Sequence, residues 1–328
     1  MNWKVRGTQR QPVEGPVERL TAPACLAGWK VVRRLPRPVA ERVFRRIADA
    51  LWHRRGRGVI QLERNLARVL GSTPDSAQVR ELSREAMRSY LRYWCESFRL
   101  PALSTQQVLD TVVATGEEHL AAAADVGIGV VLALPHCANW DLAGAWLAAR
   151  GRPFTTVAER LRPAALYQAF ADYRTALGME VLPLDGRNGA SVFSALSARL
   201  RDGKVVCLVA DRDLTESGIA VEFFGDTARM PAGAAALSVG TGAALVPVTL
   251  WFDGARMRLK MHPPIEQPTW GSRTERVATM TQRLADVFAE SIAAHPADWH
   301  MLQRIWAADV RLRHPVAAAR VGAQPPGA

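Results

Sequence analysis

At 328 residues, 48% apolar and 22% charged, the chain is long enough for a large hydrophobic core and has the composition of a folded globular protein, which excludes a polar disordered segment. Lys and Arg number 42 against 31 acidic residues, a net charge of +11. That balance suits nucleic acid, an anionic membrane or a phosphate-bearing small molecule, and it also fits a plain basic soluble protein. Cys25, Cys95, Cys137 and Cys207 stand far apart with no CxxC pair, so no structural zinc site is expected and the cysteines fit a reducing cytoplasm. No apolar run reaches the ~18 residues that a membrane-spanning helix needs, and the polar start (MNWKVRGTQRQPVEG) lacks a signal peptide's apolar stretch. If the protein meets a bilayer, it is expected to lie on it.

Residues 1–16 are expected to be disordered, and 17–310 to form one domain, helical over 17–100 and α/β over 101–310. In the helical part Val39, Val43, Ile47 and Leu51 recur every four residues, as do Leu62, Leu66 and Leu70. Arg42, Arg45, Arg46, Arg54, Arg55, Arg57, Arg64 and Arg68 fill the positions between, while Pro36, Pro38 and the Gly56–Gly58 pair punctuate the helices. Such basic amphipathic helices either lie in a membrane interface, Arg toward lipid phosphate, or pack on the core as ordinary surface helices.

Beyond Leu100, apolar strands and helical stretches alternate. Strands are predicted at 129–133, 153–157, 180–182 and 204–209, with a late pair at 244–252 and 256–261. Helices are predicted at 139–149, from Pro163 to about 177, at 191–200 and at 274–293. The alternation predicts an α/β fold with a mostly parallel central sheet flanked by helices. The Ala-, Pro- and Gly-rich tail, 311–328, is expected to be disordered.

The stretch that carries chemistry is 131–146, VLALPHCANWDLAGAW. A buried strand ends at Pro135 and His136 follows in the loop, the place where open α/β sheets bind ligands. Asn139 is a helix N-cap and Asp141 lies in the first helical turn. A bend there could carry the Asp141 carboxylate to one ring nitrogen, leaving the other to act as a general base. The His-x4-Asp spacing is weak by itself; what strengthens it is its place between a strand and a capped helix. Polar residues recur at later strand ends: Glu159 and Arg160, then Asp211, Arg212 and Asp213. For Glu159 and Arg160 a surface ion pair with Arg162 competes with a site role, and for Arg174 helix-end capping does. Cys137 invites an acyl-enzyme reading, which is disfavoured because neighbours at a helix entry point in different directions. No GxSxG occurs, so a serine hydrolase elbow is excluded.

The 131–146 stretch resembles the His-x4-Asp acyltransferases, which include glycerolphosphate and lipid A late acyltransferases, and looks most like the actinobacterial phosphatidylinositol mannoside acyltransferases. Further segments match in order: 28–40 (GWKVVRRLPRPVA), 61–71 (QLERNLARVLG), 157–163 (VAERLRP), 210–214 (ADRDL), 222–225 (EFFG), 245–248 (LVPV) and 298–306 (DWHMLQRIW). The likeness covers about residues 20–310 and implies a lysophospholipid acyltransferase-like fold. It implies transfer of a palmitoyl-like group from acyl-CoA, a co-substrate, to a mannose hydroxyl of phosphatidylinositol mannosides. No cofactor, metal or nucleic acid is implied. His136 would be the base, with Asp141 and a second acid in the relay. That acid is best matched by Asp211, with Asp213 beside it, where the family carries Glu. Glu159 and Arg174 would be acceptor-site residues, joined on the substrate side by Arg160, Arg212 and Asp213. The expected setting is peripheral, a monomer on the anionic cytoplasmic membrane face. The alternatives are another lipid acceptor (lipid A-like or a lysophospholipid), a thioesterase, or a non-catalytic lipid binder.

Overall fold

The computed structural model describes residues 27–159, 164–184, 188–213 and 218–311. Of the terminal stretches expected to be disordered, 1–16 and 311–328, all but Arg311, which ends a helix, lie outside the described residues, as do Arg160, Arg162 and Pro163.

The chain enters as helix α1 (27–34), then α2 (Arg37–His53), α3 (Arg57–Val69) and the long α4 (Ala77–Arg99). Their caps follow local chemistry. Proline opens α2, where the missing N–H is no loss, and the Ser76 hydroxyl accepts from the Val79 amide to start α4. These helices share a small core of their own, built on Phe44, Ala48, Leu62, Leu66, Met87 and Leu91. Only one face of α2 is buried. Ala40, Phe44 and Ala48 face inward, while the next row, Val39, Val43, Ile47 and Leu51, is exposed.

The α/β part then runs α5 (Thr105–Thr111), β1 (Val112–Thr115), α6 (Glu117–Asp125), β2 (Val130–Leu134), α7 (Trp140–Ala149), β3 (Phe154–Glu159), α8 (Ala164–Ala176), β4 (Met179–Leu184), α9 (Gly189–Arg201) and β5 (Val205–Val209). It continues through β6 (Ile219–Phe223), β7 (Asp226–Met230), α10 (Gly233–Thr241), β8 (Ala244–Asp253), β9 (Arg256–Met261), α11 (Arg273–Ala294) and α12 (Ala307–Arg311). Seven strands form one sheet in the order β1-β9-β8-β2-β5-β3-β4. All its neighbours are parallel except the β8–β9 pair, which reads in sequence as a late strand pair and forms an antiparallel hairpin. β6 and β7 form a separate antiparallel hairpin.

Central β2 is buried at every position, as a parallel strand covered by helices on both faces must be, which is why it reads as an unbroken apolar run. Gly129 enters this strand beneath the end of α9: a Cβ there would stand 2.2 Å from the Leu200 carbonyl oxygen. The alternation of strands and helices from residue 129 onward follows the sequence reading. That reading did not place β1 with α5 and α6, the β6–β7 hairpin or α10. These are short elements, whose periodicity spans too few residues to register.

Candidate active site

The site is set by sheet register. β2 and β5 run parallel with Leu134 opposite Val209, and the ladder goes one step further through the Ala210 amide to the Leu134 carbonyl, 2.8 Å. The residues two positions past each strand, His136 and Asp211, therefore meet at the sheet's carboxyl edge. His136 Nδ1 and Asp211 Oδ1 are 2.5 Å apart, and the His136 backbone N–H donates to Asp211 Oδ2 at 2.9 Å. The Trp299 indole N–H donates to the same Oδ2 at 2.9 Å. Asp211 is wholly buried, which by itself would push its carboxyl up. The adjoining His136 ring and the donors from His136 and Trp299 outweigh this and hold it below the ordinary carboxylate value. With Nδ1 engaged, Nε2 is the ring nitrogen left for a substrate, and the side chain keeps 17% of its surface exposed. The Trp140 ring stands edge-on to the imidazole, centroids 5.4 Å apart, and is itself stacked on Tyr93.

The sequence placed Asp141 within reach of the imidazole; the structure gives that position to Asp211. The Asn139 side chain accepts from the Leu142 amide at 3.0 Å, so α7 begins at once. Consecutive helical residues point about 100° apart, which sends Trp140 toward His136 and Asp141 beneath the helix. There Asp141, almost fully buried, accepts from Arg174 Nε at 2.8 Å and from the Tyr93 hydroxyl at 3.1 Å. Arg174 thus bridges α8 to α7 instead of capping its own helix. Burial disfavours its charge, but Asp141 more than compensates and the guanidinium is held above its ordinary value.

An apolar cavity of about 100 Å³ lies between α7 and the sheet, lined by Leu134, Gly144, Leu147, Phe154, Met179 and Val209 among others. Trp140, Asp141 and Arg174 form part of its wall, so the cavity and the His136 ring share Trp140 as a neighbour.

Of the remaining sequence candidates, Arg212, Asp213 and the backbone of Glu159 lie at strand ends of the same sheet. Arg212 and Asp213 directly follow Asp211 and are half-buried, with the Asp213 amide donating to the Arg229 carbonyl. Glu159 ends β3, and its side chain, like Arg160 altogether, lies outside the described residues. Cys137 is buried, and burial together with nearby Asp211 and Asp298 pushes its thiol well up, so a thiolate is disfavoured where an acyl-enzyme would need one. Among the described residues no cluster of His, Cys, Asp and Glu is arranged to hold a metal ion, and no helix is long and apolar enough to cross a membrane.

Sequence reasoning missed Trp299, Tyr93 and His300 as parts of this site. Trp299 joins the pair from 88 residues beyond Asp211, and no spacing rule links them; the DWH run at 298–300 was the one signal available.

The sequence profile of the family described as bacterial lipid A biosynthesis acyltransferase matches residues 16–308. The phosphatidylinositol mannoside acyltransferase of Mycolicibacterium smegmatis is 46% identical over 301 residues, covering 92% of this chain and 95% of that protein. Its namesake in Mycobacterium tuberculosis H37Rv is 49% identical over 290 residues, covering 88% and 89%.

Proposed function

The chain belongs to the bacterial lipid A biosynthesis acyltransferase family, and from that premise we propose that it moves a palmitoyl-like group from acyl-CoA to a mannose hydroxyl of a phosphatidylinositol mannoside. The observation that carries the reading is the buried Asp211 carboxylate on Nδ1 of His136, beside an apolar cavity. His136 Nε2 takes the proton of the acceptor hydroxyl. The oxygen attacks the thioester carbonyl, the C–O bond forms and the C–S bond breaks. The departing CoA thiolate collects the proton from the imidazolium, which Asp211 steadies throughout. General-base assistance of this kind contributes about 10²–10⁴-fold. The amides of the first turn of α7, just past the ring, supply partial positive charge for the developing oxyanion. The acyl chain enters the cavity under α7, and the Asp141–Arg174 pair supports its mouth. Arg212, Asp213, Glu159 and Arg160 serve the acceptor.

The protein acts from the membrane surface, on the cytoplasmic face. The exposed row Val39, Val43, Ile47 and Leu51 on α2, with Arg42, Arg45 and Arg46 exposed on the same helix, supports this: apolar side chains enter the interface while guanidinium groups meet lipid phosphate.

The test incubates purified protein with labelled palmitoyl-CoA and, in parallel, phosphatidylinositol mannoside, a lipid A precursor or a lysophospholipid. Label on the mannoside supports the reading. Label on another acceptor moves the substrate, label in free fatty acid alone makes the protein a thioesterase, and no turnover makes it a binder.

A further inference from the structure

The DWH run at 298–300 makes three hydrogen bonds to the site, one through the Trp299 indole and two through its backbone. The Ala138 amide donates to the Asp298 carbonyl at 2.9 Å, and the His300 amide donates to the His136 carbonyl at 2.8 Å. Between them Cys137 and Trp299 pair as an isolated antiparallel bridge. Three residues thus run as a short strand along the turn that holds His136, a turn tight enough that Ala138 takes a φ of +46°. Side chains alternate along a strand, and these do. Asp298 and His300 point one way, to the Ser89 hydroxyl on α4, which donates to Asp298 Oδ1 at 2.6 Å and lies 3.0 Å from His300 Nε2. Trp299 points the other way. Its ring is wholly buried among Phe223, Phe224 and Trp306, and its N–H reaches Asp211.

We propose that Trp299 is a positioning residue for the His136–Asp211 pair: its backbone braces the turn that carries the imidazole, and its indole N–H fixes the carboxylate that the imidazole leans on. The proposal rests on the assignment of that pair as the proton-transferring unit. The consequence is specific. Oδ2 of Asp211 takes two donors, the Trp299 indole and the His136 amide, and among the described residues Oδ1 meets Nδ1 alone. Without the indole donor the carboxylate has one anchor fewer on Oδ2, so its angle to the ring loosens. It also becomes a stronger acceptor, which favours the imidazolium. The other ionisable groups that act on or near the pair are Cys137 on the turn and Asp298 and His300 on the brace, and Arg212 and Asp213 follow Asp211 in the chain; the substitution replaces none of them.

Trp299→Phe keeps most of the ring and removes the donor. The expected result is a fall in kcat of about 10- to 100-fold, with KM for palmitoyl-CoA within about twofold, and an acid limb of the pH–rate profile moved up by about one pH unit. Should the Phe variant fail to fold, benzothienylalanine at position 299, which swaps N–H for S at nearly constant shape, gives the same readouts. A second measurement needs no substrate: solvent exchange of the His136 Nδ1 proton, followed by NMR, accelerates at least about tenfold in the variant. A wild type that acylates nothing removes the proposed function but leaves the exchange measurement to judge the brace. Unchanged exchange in a folded donor-less variant overturns the positioning role, whatever the acceptor, as does an unmoved kcat and pH profile.

Discussion

The helical layer and the sheet edge use charge in opposite ways. In the helices, carboxylates are shared among several partly exposed arginines: Asp49, with 24% of its side chain exposed, meets both Arg84 and Arg88, and Glu63, itself buried, meets Arg55 and Arg80. At the sheet edge two carboxylates are buried, and among the described residues each has one ion-pair partner: Asp141 holds Arg174, and Asp211 holds His136. A shared, screened charge can lose a partner and keep its function as part of a field. A buried one cannot, because nothing else, water included, replaces what is taken away. The first region therefore acts by its sum and the second by individual atoms.

The largest effect lies where the individual atom is the reacting one. His136→Ala is expected to lower kcat at least about 10³-fold in the palmitoyl-CoA assay, with an unchanged circular dichroism spectrum. Near-normal turnover from that variant would sink the mechanism.

Next comes a paired test of the comparison itself. Asp141→Ala strands a buried guanidinium and should destabilise the fold by about 3–5 kcal/mol in urea titration. Asp49→Ala removes a carboxylate that meets two arginines, yet should cost no more than about 1 kcal/mol. If the two variants lose equal stability, burial is not what separates the regions. In catalysis Asp141→Ala acts through the wall of the cavity, so its loss in kcat should stay below that of Asp211→Asn, which acts on the imidazole directly.

The same contrast decides how much was legible in the sequence. Strand β2, the Asn139 cap, α7 and the late β8–β9 pair are local patterns, and a run of apolar residues or a capping side chain announces them. Exposed Val39, Val43, Ile47 and Leu51 were equally visible as a four-residue repeat. Which carboxylate meets His136 was not visible from local spacing. Five residues of separation pointed to Asp141, but the helix begins too early to let that side chain turn back, and the β2–β5 register delivers Asp211 from 75 residues away. Only the family resemblance pointed to Asp211. The resemblance marked the segment 298–306 but gave Trp299 no role, because an indole donor to a buried carboxylate leaves no periodic trace.

A smaller effect is expected from pH. His300 is fully buried, and burial first of all, with neighbouring His136 adding to it, brings its ring down to about 3. Folded protein thus keeps it neutral while the unfolded chain takes up a proton near pH 6.5. Between those values the unfolded state binds more protons, so this contribution is fully present above about pH 6.5 and is lost as pH falls, by about 1.4 kcal/mol per pH unit. Asp211, held below its ordinary value, acts in the same sense only below about pH 4. Asp298, pushed up by burial, works against both. His300→Phe should flatten the loss of stability between pH 6.5 and 5, as measured by urea midpoints. An unaltered slope would mean that the ring is already charged in the folded state.

The smallest expected effect tests the additive region. Ile47 is 41% exposed, so its transfer to a bilayer interface gains only part of the ~1.5–3 kcal/mol of a fully buried side chain. Ile47→Gln should weaken binding to anionic vesicles by about three- to tenfold, and each Arg removed from α2 by about fivefold at low salt, near 1 kcal/mol per charge. Ile128, 43% exposed at the opposite end of β2 from His136, provides the control: Ile128→Gln removes as much exposed apolar surface without touching α2. Equal losses from Ile47→Gln and Ile128→Gln would mean that α2 is not the docking face. A loss confined to α2, additive from one residue to the next and fading with salt, is what a surface that acts by its sum must show, and it is the behaviour that the single buried pair at the sheet edge cannot imitate.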